Sequence, residues 1–361
     1  MTVTVPAAVF QELVLSVDKG IYNRGKSVKL DRKAMPLLDF WMGRKKEVNA
    51  SQGVVRVNLQ VSDSTPNQGW TQQDVLSFNQ NFPALGFEFG IYNVHRGLIF
   101  VHDDLMNEGY EIDFNDASDK VATPLSASES TRLRNILADK LDNYRDAFNV
   151  ALDQNLSLDG TQDAKLPIGL DAMIPLANTG NYGGLSRTDP RIQPFSSLAM
   201  TYGAGGTARS ALNTAVYQAK LNSRGAKRGK YRFIVGRGFA DRYASYATAN
   251  SWQVHTMATG TKDLDISISD SGLQYLGVPL EINPTFDLLD AAYAPAIPWT
   301  RRGYFLCEDT FILGTSNGKS EPKMSVPPDP AEVRVTRCSL DWRLSPFCTN
   351  PNANAVVAFV A

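Results

Sequence analysis

With 361 residues, 43% of them hydrophobic and 10% aromatic, the chain can bury the cores of about two domains, which excludes wholesale disorder. Its 36 Lys and Arg balance 37 Asp and Glu to a formal charge of −1. That balance argues against a dedicated nucleic-acid binder, whose affinity rests on many phosphate contacts.

The start, "MTVTVPAAVFQELVLSV", has no basic n-region, and no apolar run reaches the length of a membrane span. The expectation is a soluble, intracellular chain with no signal peptide and no membrane partner. Residues 1–46 mix short apolar pieces with the basic stretches "DKGIYNRGKSVKLDRK" and "GRKK". No amphipathic period persists there, so the segment reads as an extended arm that packs on something else; a short helix plus loop on its own domain is the competing reading. In "GVVRVNLQV", Val55, Val57, Leu59 and Val61 alternate with polar residues, and in "ALGFEFGIYNV" Leu85, Phe87, Phe89 and Ile91 share a face. Both are period-two strands. The polar segment 62–83 between them makes a long hairpin over 47–96, and long loops in compact domains are usually functional. Such a hairpin cannot bury both faces alone, so it is expected to lie on a partner, with Trp70, Val75, Leu76 and Phe78 as anchors.

The clearest element is a helix over about 126–156. Ser126 and Glu129 have capping-box spacing, and Leu133, Leu137, Leu141, Tyr144, Phe148 and Leu152 form one apolar stripe before Gly160. At 1.5 Å per residue this is a strut of roughly 45 Å. Residues 176–330 read as a mixed α/β region. "PFSSLAMT" looks a poor parallel strand, "YGAGGTARS" leads into the helix "ARSALNTAVYQAKLNSR", and "YRFIVG" is a buried strand before a helix at "FADRYASYA". "LQYLGVPLEINP" reads as two short strands around a turn, and "RGYFLCEDTFIL" as another strand pair. Residues 331–361 return to long strands. There Val333 and Val335 lie on one phase and Cys338, Leu340 and Trp342 on the other, which predicts a bulge near Thr336 and Arg337.

Sites for chemistry are few. Cys307, Cys338 and Cys348 are odd in number and lack C-x-x-C spacing, which argues against zinc or a disulfide framework and suits a reducing compartment. The glycines Gly203, Gly205 and Gly206 precede a helix, as in an anion-binding loop, but no G-K-[ST] follows. His95 and His102, seven apart on a strand, would face opposite sides, which suits no common metal site. No G-x-S-x-G elbow occurs. Asp163 and Lys165 lie in "DGTQDAK", a polar, turn-prone stretch that gives no burial to tune a catalytic pair. The cluster Arg224, Lys227, Arg228, Lys230 and Arg232 is either a solvated turn complementing a helix dipole or a basic surface that meets acidic neighbours or packaged nucleic acid.

The order of parts (arm, hairpin, strut helix, "DGTQDAKLPIGLDAMIP", "NYGGLSR", mixed α/β region, C-terminal strands) resembles the major capsid proteins of tailed bacteriophages with the Hong Kong 97-type capsid fold. Similar proteins carry a helix running into D-G-T-x-D-A-K, then P-x-G-[LI], then G-G-[IL]-[SD]-R. Here these are Asp159 to Lys165, Pro167 to Ile174, and Gly183 to Arg187. Trp342, Asn350-Pro351 and "NAVVAFV" match the Trp strand, Asn-Pro turn and apolar tail of that family. The resemblance implies an α+β fold with an N-terminal arm (1–46), an extended hairpin loop (47–96), a peripheral domain (97–175) with the spine helix, an axial domain (176–330) and C-terminal strands (331–361). It also implies a major capsid protein that forms pentamers and hexamers around double-stranded DNA, with no cofactor and no catalysis. It would be assembled in the host cytoplasm and reside in the virion capsid. Portal, scaffolding and decoration proteins would be partners, the scaffold being a separate protein since only the short arm precedes the hairpin. In this frame Asp163, Lys165 and Arg187 become inter-subunit contacts, and the basic cluster an inner surface. The alternatives are an encapsulin-like shell with protein cargo, or an α/β enzyme using residues 203–206.

Overall fold

The computed structural model describes residues 3–6, 10–17, 35–48, 53–60, 84–113, 127–201, 206–223, 230–249, 273–276, 278–316, 321–326 and 335–359. Strand β1 (Val3–Pro6) precedes a helical stretch at 10–17 (α1), helix α2 (Pro36–Met42) and β2 (Lys45–Val48). The hairpin strands β3 (Val54–Gln60) and β4 (Ala84–Gly90) follow, then β5 (Tyr92–Val101), α3 (His102–Asn107), β6 (Tyr110–Asp113) and the long helix α4 (Ala127–Asn155). A short helix α5 (Leu170–Met173) and the two-residue strands β7 (Asn181–Tyr182) and β8 (Leu185–Ser186) lead to β9 (Phe195–Met200) and α6 (Ala208–Asn222). Next come β10 (Tyr231–Val235), α7 (Arg237–Ala249), β11 (Gln274–Tyr275), β12 (Val278–Ile282) and α8 (Thr285–Tyr293). Strands β13 (Arg302–Cys307), β14 (Phe311–Ser316), β15 (Lys323–Ser325), β16 (Val335–Cys348) and β17 (Ala355–Phe359) complete the chain.

Helix α4 forms because its apolar residues recur on one face, and every residue of the expected stripe, from Leu133 to Leu152, is buried. The stripe serves two cores. Leu133, Leu137 and Leu141 pack with Phe10, Val14 and Phe100, whereas Tyr144, Phe148 and Leu152 join Trp41, Phe286, Phe311 and Trp342. The Tyr144 hydroxyl donates to the Arg96 carbonyl, and Arg96 Nη1 donates to the Ala147 carbonyl at 2.9 Å, which ties the helix to β5.

A six-stranded sheet, in the order β11-β12-β10-β13-β17-β9, is apolar on both faces. Phe233, Val235, Phe305 and Val357 face α6 and α7, while Ile234, Tyr304, Leu306 and Val356 join the core containing α4 and α8. Burial on both sides explains why "FIV" of β10 and "AVVAF" of β17 are continuous apolar runs. A second sheet has the order β15-β16-β14-β2, with β5 also paired to β16.

The hairpin is present as read: β3 and β4 pair antiparallel from Val54↔Gly90 to Gln60↔Ala84. Its base packs on its own chain, with Phe89 stacked on Phe347 at 5.0 Å. Residues 62–83, with Trp70, Val75, Leu76 and Phe78, lie outside the described residues, as does Ser126 of the expected capping box.

Four expectations are corrected. The arm is not extended throughout its described residues. Phe10, Leu13, Val14 and Val17, spaced as one helical face, are buried, β1 pairs with β6, and β2 pairs with β14. The stripe spans only two turns, too short a window to register as a period. "PFSSLAM" is a parallel strand after all, because β9 is an edge strand beside β17 and tolerates its polar residues. Strands β13 and β14 do not pair with each other; the three-residue turn Glu308–Thr310 carries the chain from one sheet to the other. Finally, β16 pairs with β5 in unbroken register from Val335↔Val101 to Leu344↔Tyr92, without a bulge. Thr336 is buried in phase with Cys338 and Leu340, so the inward face contains a hydroxyl that apolar patterning skips.

Candidate functional site

The connector from α4 to α5 folds back on the helix end. The Gly169 amide donates to the Leu158 carbonyl at 2.8 Å and the Leu170 amide to the Leu156 carbonyl at 2.7 Å. A Cβ on Gly169 would collide with the Leu156 carbonyl, so glycine is required by close backbone approach. Asp159 and Asp163 close their own turns: Asp159 Oδ1 accepts from the Thr161 amide at 2.9 Å, and Asp163 Oδ1 from the Lys165 amide at 2.9 Å. Asp163 and Lys165 are both exposed.

Asp171 on α5 is the centre of a buried network. Its carboxylate accepts from Trp299 Nε1 at 3.0 Å, from Arg302 Nη1 at 2.6 Å and from the Tyr304 hydroxyl. The Arg302 guanidinium lies 4.4 Å from the Trp299 ring and also donates to the Ile297 carbonyl. Burial pushes the Asp171 carboxyl above its ordinary value, against the opposing pull of Arg302. The connector is thereby fixed to the six-stranded sheet. As the lone charge in "PIGLDAMIP", Asp171 carried a signal that could have been read as a buried charge seeking a partner.

Gly183 and Gly184 both have positive φ and turn the chain between β7 and β8. The Gly183 carbonyl accepts from the Glu88 amide of β4 at 3.1 Å, joining this turn to the hairpin base. Arg187, expected as an inter-subunit contact, is buried within its own chain. Its guanidinium donates to the Ala172 and Met173 carbonyls at the end of α5 and lies 4.8 Å from the Tyr182 ring. Burial lowers the Arg187 pKa from its ordinary value. Tyr182 in turn accepts from the Cys348 amide at 2.7 Å.

A charged junction joins the two sheets. Arg44 Nε donates to the Glu308 carbonyl at 2.8 Å, and its Nη2 pairs with the Glu308 carboxylate. The other carboxylate oxygen accepts from Arg232 Nε at 2.9 Å, and Arg232 reaches Glu281 at 3.4 Å. Burial pushes the Glu281 carboxyl up, against the pull of Arg232. Arg232 therefore meets acidic neighbours of its own chain. Lys230 is exposed, while Arg224, Lys227 and Arg228 lie outside the described residues. Glu308 and Arg44 are separated by 264 positions, a pairing with no local sequence signature.

Of the other candidates, Gly203 and Gly205 lie outside the described residues, and Gly206 leads into α6 through Thr207. His95 pairs with Asp341 across β5 and β16, and His102 opens α3. All three cysteines are free and buried. Among the described residues, no group of three His, Cys, Asp or Glu gathers to hold a metal, and no helix is long and apolar enough to cross a membrane. The buried polar groups form fasteners between elements that are distant in sequence.

No protein-family model matches the sequence, and no curated protein matches it. Among solved structures, the chain is similar to the cyanophage A-1(L) capsid asymmetric unit at 14% identity, over 93% of this chain and 96% of that one, with a TM-score of 0.59. It is similar to the capsid of a native GTA particle at 12% identity, over 93% and 94% of the two chains, with a TM-score of 0.53. It also resembles the capsid of cyanophage P-SCSP1u at 12% identity, over 93% and 91%, with a TM-score of 0.50. The shared path runs almost end to end, and the chain has the Hong Kong 97-type fold of tailed-phage capsid proteins.

Proposed function

We propose that the chain is a major capsid protein whose copies form pentamers and hexamers and close an icosahedral shell around phage double-stranded DNA. The observation that carries this reading is the fold, shared over 93% of the chain with a phage capsid asymmetric unit. The composition supports it: a net charge of −1 lets many copies approach without strong mutual repulsion. The hairpin segment 62–83 then reaches a neighbouring subunit through Trp70, Val75, Leu76 and Phe78. Exposed Asp163 and Lys165 contribute polar contacts between subunits. The DNA is confined rather than read, with Arg224, Lys227, Arg228 and Lys230 facing it as a non-specific inner surface. Portal, scaffolding and decoration proteins complete the particle, which is assembled in the host cytoplasm, and the chain itself performs no catalysis.

Electron microscopy and nuclease-protection assays on particles from infected or expressing cells test this reading. Shells that protect long double-stranded DNA are expected when packaging proteins are present. Shells that hold a protein cargo and no DNA under those conditions would overturn the assignment of contents.

A further inference from the structure

Asp153 lies near the end of α4, fully buried, where three parts of the chain meet. Helix α2 packs from one side through Leu37 and Leu38, and α8 from another through Phe286 and Leu289. Between them, Asn283 Nδ2 donates to Asp153 Oδ2 at 3.4 Å, a long bond. Asn283 cannot turn to do better, because its own Oδ1 accepts from the Thr285 amide at 3.1 Å and its amide is tied to the Val235 carbonyl at 2.9 Å. The second carboxylate oxygen, Oδ1, has no hydrogen-bond partner among the described residues. A buried carboxylate with one oxygen left without a partner is a costly arrangement, whereas the neutral acid is far cheaper to bury.

We propose that Asp153 is a proton-operated latch: neutral, it lets α2, α4 and the turn before α8 close on one another, and ionised, it loosens that joint. Among the groups acting on it, the Thr285 hydroxyl, the Asn283 side chain and the Leu38 backbone amide favour the anion, and Asp39 on α2 opposes it. Burial outweighs the three favourable groups and raises the carboxyl above its ordinary range. The sign follows. A carboxyl whose folded pKa is raised contributes stability that is complete below the unfolded value and is lost as pH rises through the folded one.

Asp153→Asn is a neutral isostere of the latched state, and the purified chain is compared with it from about pH 4 to about pH 8. The melting temperature of the variant should match the parent at the acid end and exceed it by a few degrees at the alkaline end. Hydrogen exchange should localise the difference: amides of 37–42 and 285–293 exchange faster in the parent than in the variant as pH rises, after correction for intrinsic rates. Parallel melting profiles, a variant that is less stable at the alkaline end or does not fold, or an exchange difference spread evenly over the chain would each overturn the latch.

Discussion

Single residues in this protein act by joining segments far apart in sequence, and their removal is expected to cost accordingly. Arg302→Met leaves the buried Asp171 carboxyl without its cation, and Asp171→Asn leaves the buried Arg302 guanidinium without its anion, so each should lower stability by about 3–5 kcal/mol. Chemical denaturation of both single variants and of the double variant checks the coupling, and single costs that simply add in the double variant would show that the pair is not coupled. Gly169→Ala pushes a methyl group into the Leu156 carbonyl, where backbone must move, and should cost at least about 1–3 kcal/mol. A melting temperature unchanged by this smallest of substitutions would contradict the close approach. Burial pushes the Cys348 thiol up to about 12, so it stays protonated at neutral pH. It should resist alkylation in the native chain and react once the chain is unfolded; rapid native labelling would count against its place in the core.

At the scale of elements, the strut is the part most plainly written in the sequence. Its apolar stripe is local and periodic, and all six expected residues are buried. Leu141→Asp should therefore abolish folding or sharply reduce soluble yield, since an unpaired charge in that core costs several kcal/mol. A normal yield would mean the stripe does not face a core. The β3–β4 hairpin was legible for the same reason, through period two. What was not legible depended on tertiary context: that β13 and β14 enter different sheets, that Thr336 takes an inward position, and that Phe10 to Val17 forms a helix on α4. Local patterns describe a strand's faces and leave its partner open. The hairpin offers a test of its own. Replacing 62–83 with a short Gly-Ser turn should leave circular dichroism near that of the parent yet block complete shells, and normal particles from that variant would deny the segment its bridging role.

On the scale of the whole molecule, the fold was read from its motif order, while the buried fasteners were mostly not. Asp159 to Lys165 and Gly183 to Arg187 stood out as motifs, but their work differs: Asp163 closes an exposed turn, and Arg187 is drawn into the chain's own core. The Glu308 junction escaped notice because Arg44, Arg232 and Glu281 reach it from separate regions of the chain. These fasteners make one subunit from an interleaved path, and the proposed function requires that subunits then close on one another. Cryo-electron microscopy of the purified chain, alone and co-expressed with a candidate scaffolding protein, tests this most directly. The account predicts five- and six-fold rings and closed shells in which each subunit follows the path described above. A chain that remains monomeric under both conditions, at micromolar concentration and at every salt concentration tried, would contradict it.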